Sequence, residues 1–305
     1  MSKTQAWIKA MRLRTLPLSL SGIIIGSAVA YYHGFWDATI FTLAMLTTVL
    51  FQVLSNLAND LGDSDKGTDN EHRIGPDRAI QSGSITRKEM LSAIIVTSIL
   101  SLAAASFLIY IGAQDMPFNV IMVYAVLAIL CVLAAITYTV GKKAYGYNGL
   151  GDIMVFVFFG LVSVLGIYSL YSKLFFFDNI LLAICIGMLS AAVLNLNNMR
   201  DYQNDADSGK NTIVVKMGPN QAKLYHAILI LIGLSSMAVF LGRMGDPLYF
   251  ISMLPGLYLF YHLRIVMQTT QTTDPKDFDP ELKKVALTSF GLAVFFFVMV
   301  ILLNK

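Results

Sequence analysis

The sequence predicts an all-α membrane protein of nine transmembrane helices, with two four-helix units around a central cavity and a ninth helix after them. Three observations carry this. First, 56% of residues are hydrophobic and only 13% are charged, against about 25% charge in soluble domains. Second, nine apolar stretches, about 16–34, 38–57, 91–113, 118–140, 150–171, 178–199, 221–241, 246–266 and 286–303, approach or reach the length an α-helix needs to cross hydrocarbon. Third, the basic residues sort by side. With the N-terminus placed inside and the loops alternating, 19 of the 22 Lys and Arg fall inside, leaving 3 outside: Lys173, Arg243 and Lys305. The positive-inside rule then gives N-in, C-out, as in a multi-pass protein of the bacterial inner membrane.

Taken in order, the stretches support helices. Barrel strands would alternate apolar and polar residues over shorter runs. The first stretch follows the basic segment MSKTQAWIKAMRLR and has no small-residue cleavage site, so it reads as a retained helix. Outside connections such as 34–37 and 114–117 are short, whereas the inside loops 58–90 and 200–220 are long and acidic. A third inside loop, 267–285, reads as a solvated connector. Asn56-x-x-x-Asp60 closes the second stretch and Asn197-x-x-x-Asp201 closes the sixth. This echo marks a pseudo-repeat, about 1–140 and 141–266, within one domain of 1–305; the last helix is 286–303. The net charge of +3 is too small to suggest nucleic acid. Cys131 and Cys185 lie inside apolar stretches and read as inert thiols.

The chemistry sits in the two acidic clusters. Residues 56–70 read NLANDLGDSDKGTDN and 197–212 read NNMRDYQNDADSGKNT. Steps of three and four put Asn56, Asp60 and Asp63 on one helical face, and Asn197, Asp201 and Asp205 on another. Asp65 and Asp69 fall at or past the helix end. Hard oxygen ligands without His or Cys suit Mg²⁺ or Ca²⁺ rather than zinc, and Mg²⁺ shares its shell with phosphates. An Asp at the bilayer centre costs about 2.5–3.5 kcal/mol, so these carboxylates must line a polar cavity near the inner surface. Lys142, Arg73, Arg78, Arg200 and Lys210 lie on the same side and are candidate anion contacts. GYNGLGD at 146–152 lacks the Lys-Ser/Thr of a P-loop and reads as a turn leading into a helix. No Ser/His/Asp or Cys/His nucleophile constellation is present. His33, His72, His226 and His262 do not pair at metal spacing.

These motifs resemble the UbiA superfamily of intramembrane prenyltransferases, over nearly the whole chain. RLRTLPLSLSG, the first cluster, RIGPDRAIQSGSIT, YNGLGDIMVFVFFGLVSVLG and the second cluster are most like the branch that prenylates 1,4-dihydroxy-2-naphthoate in menaquinone synthesis. Tyr138-xxx-Lys142 instead matches a pattern of other branches. The resemblance implies that Asp60, Asp63 and Asp69, with Asn56, hold one Mg²⁺, and that Asp201 and Asp205, with Asn197, hold a second. It implies that Lys142 contacts the diphosphate, and that Tyr138 is a candidate for steadying an allylic cation. The implied reaction transfers a polyprenyl chain from its diphosphate to the naphthoate, with loss of diphosphate and CO₂, giving demethylmenaquinone. Other readings are a different acceptor, such as 4-hydroxybenzoate, or a membrane transporter. Clustering of the aspartates at one surface weighs against the transporter.

Overall fold

The computed structural model describes residues 2–70, 74, 78–269 and 274–304. Among them every regular element is helical, and nine spans are long and apolar enough to cross a membrane. A short helix α1 (Lys3–Met11) precedes the first span, α2 (Leu16–Tyr32). Then come α3 (Ala38–Asp65), α4 (Arg87–Gly112) and α5 (Phe118–Thr137). The fifth span, α6 (Gly151–Ser172), widens to π winding over Phe156–Leu165. After α7 (Ile180–Arg200) come two short helices, α8 (Tyr202–Asp207) and α9 (Ile213–Met217). The last three spans are α10 (Pro219–Met244), α11 (Pro247–Gln268) and α12, the last running over Phe278–Leu303.

Local chemistry explains where these helices begin. Asp37 accepts from the Thr39 and Ile40 amides at 2.7 and 3.0 Å, capping α3. Thr86 and Glu89 form a reciprocal capping box on α4, and Ser2 and Gln5 do the same on α1. Side chains such as Ile95, Val96, Ile99, Phe107, Phe118 and Val123 are exposed, as expected where lipid is the neighbour.

Packing divides the helices. α3 packs on α4 and α5, whereas α7 packs on α6 and α10, and α12 lies against α2, α7 and α11. Small residues permit the closest approaches, since burial against lipid gives helices no hydrophobic drive to associate. A Cβ on Gly160 of α6 would fall 2.5 Å from the Ala183 carbonyl oxygen and 2.8 Å from Gly187 Cα on α7. The C-terminal end returns to the end of the first span, where Asn304 donates to the Tyr32 carbonyl at 2.9 Å.

Several ends differ from the hydropathy reading. α3 continues to Asp65 rather than ending near 57, because acidic residues stop an apolar run without stopping a helix. α12 begins at Phe278 rather than near 286 for the same reason. α5 ends at Thr137, short of 140. The Asn197–Asp205 strip is not one helix. α7 ends at Arg200, and Asp201, with φ −92° and ψ 8°, joins it to α8.

Candidate active site

The inner end of α3 carries the first acidic cluster. Asn56, Asp60 and Asp63 are buried there on one face. Asp60 takes the Arg12 guanidinium, and Arg78 Nη1 stands 3.1 Å from its Oδ1. Arg78 also reaches Asp63 at 3.9 Å and Asp69 at 3.5 Å, so one guanidinium serves three carboxylates. Gly67 makes the reversal that allows this. Its φ of +71° turns the chain back, and the Thr68 amide donates to the Asp63 carbonyl at 3.0 Å. Asp69, past the helix end, thereby rejoins the cluster. Asp65, the last residue of α3, turns outward onto Arg87, with two contacts of 2.8 Å.

Arg12 adopts a left-handed conformation, φ 48°, which costs a non-glycine residue about 1–2 kcal/mol. Its charge-assisted contact with buried Asp60 offsets that cost. Asn56 holds the same turn, donating to the Met11 carbonyl at 2.9 Å and to Thr15 Oγ1 at 3.2 Å. Its amide nitrogen thus faces the α1–α2 joint, while its Oδ1 lies 3.4 Å from Gln52 Nε2.

The second cluster is wired through Arg200, which is buried. It donates to Asp201 at 2.9 and 2.6 Å, to Asn197 Oδ1 at 2.9 Å and to Asp279 at 2.5 Å, tying α7 to the start of α12. The Asp205 amide donates to the Asp201 carbonyl at 2.8 Å, so a helical spacing persists across the break at Asp201.

The two clusters meet. Asn204 donates to the Thr68 carbonyl at 3.0 Å, and buried Lys210 stands 3.6 Å from Asp205. Burial works to lower the Lys210 pKa, but the charges of Asp63 and Asp205 outweigh it and hold the ammonium well above its ordinary value. Burial pushes Asp205 up to about 7; Lys210 opposes this, and Asp201 and Asp63 add to it. Tyr147 joins both sides. It donates to Asp63 at 2.9 Å, accepts from Thr68, and stacks under Lys66 at 3.8 Å and Lys210 at 5.5 Å. Tyr138 lies within reach of Lys210, Asp63, Asp152 and Asp205, and burial pushes its hydroxyl up to about 12. Burial also raises Tyr147, so both phenols stay protonated donors at neutral pH. A cavity of about 270 Å³ lined by Lys9, Arg12, Arg14, Asp60 and Arg78 opens beside the first cluster.

The residue set differs from the sequence expectation in specific ways. Asp60, Asp63, Asp69 and Arg78 converge, as do Asp201, Asp205, Asn197, Arg200 and Lys210. Lys142 does not join them. α5 stops at Thr137 and the chain reverses at Gly141, φ +95°, which leaves Lys142 exposed and without an ion pair among the described residues. Lys210 stands beside the carboxylates instead. Arg73, like His72 and Asp77, lies outside the described residues. Arg12, Lys66, Tyr147 and Asp279 enter the site unannounced. In the sequence Arg12 carries its side preference and its place in RLRTLPLSLSG but no site role, and Tyr147 sits inside a segment that reads as a turn. That segment is indeed a turn, and it also delivers Tyr147.

Among the described residues no three acidic, His or Cys side chains form a ready cage for a metal. The donor chemistry still fits Mg²⁺. The candidate donors are oxygens, most of them carboxylate, and among the described residues Asp205 Oδ2 is buried with no hydrogen-bond partner. Tyr147→Phe is expected to weaken the site without emptying it. Losing one hydrogen bond to a carboxylate is worth about 1.5–3 kcal/mol, so Mg²⁺ activation curves should shift to higher metal by about tenfold or more.

Comparison with known proteins agrees with this geometry. Residues 19–290 match the UbiA prenyltransferase family. A 1,4-dihydroxy-2-naphthoate octaprenyltransferase of Escherichia coli K12 is 45% identical over 239 residues, covering 78% of this chain and 77% of that protein. One from Haemophilus influenzae is 47% identical over 231 residues, covering 75% and 74%. In fold, the chain resembles the apo structure of a UbiA homolog from Aeropyrum pernix K1 with a TM-score of 0.68, at 13% identity, over 95% and 98% of the two chains. A UbiA homolog from Archaeoglobus fulgidus, solved bound to DMAPP and Mg²⁺, gives a TM-score of 0.64 at 16% identity, over 95% and 99%. Nine spans, two facing acidic helix ends and these matches place the chain in the UbiA prenyltransferase family.

Proposed function

We propose that this protein transfers a polyprenyl chain from polyprenyl diphosphate to 1,4-dihydroxy-2-naphthoate, releasing diphosphate and CO₂ and giving the hydroquinone demethylmenaquinol, which becomes demethylmenaquinone on later two-electron oxidation. The observation that carries the reading is the pair of carboxylate clusters facing each other across buried Lys210. The 45–47% identity to proteins named for that acceptor supports the choice of substrate.

In this reading Asp60, Asp63 and Asp69 hold one Mg²⁺, and Asp201 and Asp205 hold the second. Bound there, the metal neutralises the diphosphate and makes it a better leaving group. The protein's own residues do the rest. Lys210, held charged between Asp63 and Asp205, places a fixed cation where the diphosphate arrives. Arg12 and Arg78 line the cavity beside Asp60 and balance the carboxylates while no ligand is bound. Arg200 orients Asp201 from behind and fixes it to α12 through Asp279. Tyr138 and Tyr147, both neutral, wall the region where an allylic cation would develop, and Tyr138 offers it a π face. The apolar spans keep water from that cation.

The clusters lie at the N-terminal side, which the charge bias assigns to the cytoplasm, in a bacterial inner membrane. α2–α5 and α6–α11 form the two parallel units of an internal repeat. The experiment is metal removal on the purified protein. Product formation should fall to background in excess chelator and return on adding Mg²⁺. Turnover of 4-hydroxybenzoate in preference to the naphthoate would reassign the acceptor.

A further inference from the structure

Among the described residues, buried carboxylates at this end of the protein have cationic neighbours, with one exception. Asp60, Asp63 and Asp69 share Arg78; Asp201 has Arg200; Asp205 has Lys210; and Glu281 has Lys284. Asp152, only 4% exposed, has no ion pair among the described residues. Its side-chain partner is the Tyr225 hydroxyl, at a long 3.4 Å. Burying an ionised group without a counter-charge costs several kcal/mol, and such groups concentrate where chemistry needs them.

Its position connects it to the site without making it part of the clamp. Asp152 is the second residue of α6, close to the helix N-terminus, where backbone amides favour an anion. Gly151 beside it packs on Tyr138: a Cβ there would stand 3.3 Å from the ring and 3.5 Å from the hydroxyl. Tyr138 in turn feels Lys210, Asp63 and Asp205. The order is thus clamp, Tyr138, Asp152, Tyr225. The titratable groups facing Asp152 are these two tyrosines, from the end of α5 and from α10.

We propose that Asp152 is the base that takes the hydroxyl proton of the aromatic acceptor, a role that rests on the reading of the previous section. In the step, the carboxyl-bearing ring carbon of the acceptor bonds to the allylic carbon, and the allylic C–O bond breaks with its electron pair leaving on diphosphate. The acceptor's O–H proton moves to an Asp152 oxygen as its C–O becomes C=O. The proton returns from Asp152 to the acceptor oxygen when the C–CO₂ bond breaks and its electrons restore the aromatic ring, releasing CO₂. Tyr225 holds the carboxylate for this, and Tyr138 separates it from the metal-binding aspartates. A carboxylate apart from the metal ligands keeps its lone pairs available for a proton.

The test uses the purified full chain in lipid nanodiscs, with wild type, D152N, D152E and Y225F. Mg²⁺-dependent binding of a prenyl thiolodiphosphate analogue, which cannot ionise readily, is measured beside product formation over pH. D152N should bind the analogue as wild type does, lose about 100-fold or more in kcat, and lose the acidic limb of the wild-type pH–rate profile. D152E should recover part of the rate, and Y225F should raise KM for the acceptor more than for the diphosphate. D152N turnover within about threefold of wild type, with the acidic limb unchanged, overturns the proposal. So does parallel loss of analogue binding in D152N and D152E, which would mark Asp152 as structural. Analogue binding without product from wild type, whatever the hydroxylated acceptor, would overturn the acceptor reading and this step with it.

Discussion

Asp63→Asn should nearly abolish prenyl transfer while leaving a folded protein. Asparagine keeps the volume and the Tyr147 contact but removes one charge. That charge acts on both sides of the site. Asp63 lies in the first cluster beside Arg78, and its charge helps hold Lys210 protonated. Removing one preorganised electrostatic group costs about 10²–10³-fold in rate, and the loss here should reach or exceed the top of that range. The fold should survive, because Lys210 keeps Asp205 and Arg78 keeps Asp60 and Asp69. Thermal melting in detergent reads both effects. Mg²⁺ with prenyl diphosphate should raise the wild-type Tm through preferential binding to the native state, and that rise should vanish in the variant. Wild-type turnover in Asp63→Asn would remove Asp63 from the site.

Gly62→Ala should be as damaging, although it touches no ligand. Gly62 lies between Asp60 and Asp63, where α3 passes against the end of α5. A Cβ there would press on Thr139 Oγ1 and stand 2.5 Å from the Thr139 backbone carbon. Backbone cannot swing aside as a flexible side chain can, so α3 must shift. Overpacking of this kind costs about 1–3 kcal/mol, and a displacement near 1 Å in a catalytic array costs about 10²-fold. The Tm and kcat should fall together. Gly67→Ala is the informative contrast. Among the described residues it meets nothing within 4 Å, but it has φ +71°, so it strains the reversal that carries Asp69. It should lose less than Gly62→Ala in both measurements.

The parts of this site legible in the sequence are those encoded locally. Nine spans follow from hydropathy, and the two acidic strips follow from steps of three and four. Asp60 with Asp63, and Asp201 with Asp205, therefore stand out from spacing alone. Contacts made across loops do not. Arg12 reaches Asp60 across 48 residues and Tyr147 reaches Asp63 across 84. No periodicity reports such pairs. Lys142 is placed away from the clusters for a related reason. Its spacing from Tyr138 suggests one more helical turn, but α5 unwinds at Thr137 and the glycine at 141 turns the lysine away. Asn56 shows the converse. It shares the face of the aspartates, yet the nearest backbone, at Met11, claims its amide.

The facing clusters are proposed to drive transfer of a prenyl chain onto a dihydroxynaphthoate. The most direct measurement is a mass spectrum of the product formed by the purified protein from 1,4-dihydroxy-2-naphthoate, a polyprenyl diphosphate and Mg²⁺. The predicted product carries the prenyl chain and lacks the carboxylate, appears only with Mg²⁺, and is absent with Asp63→Asn. A prenylated product formed equally in chelator, or no prenylated naphthoate from an enzyme that binds both substrates, would contradict the account.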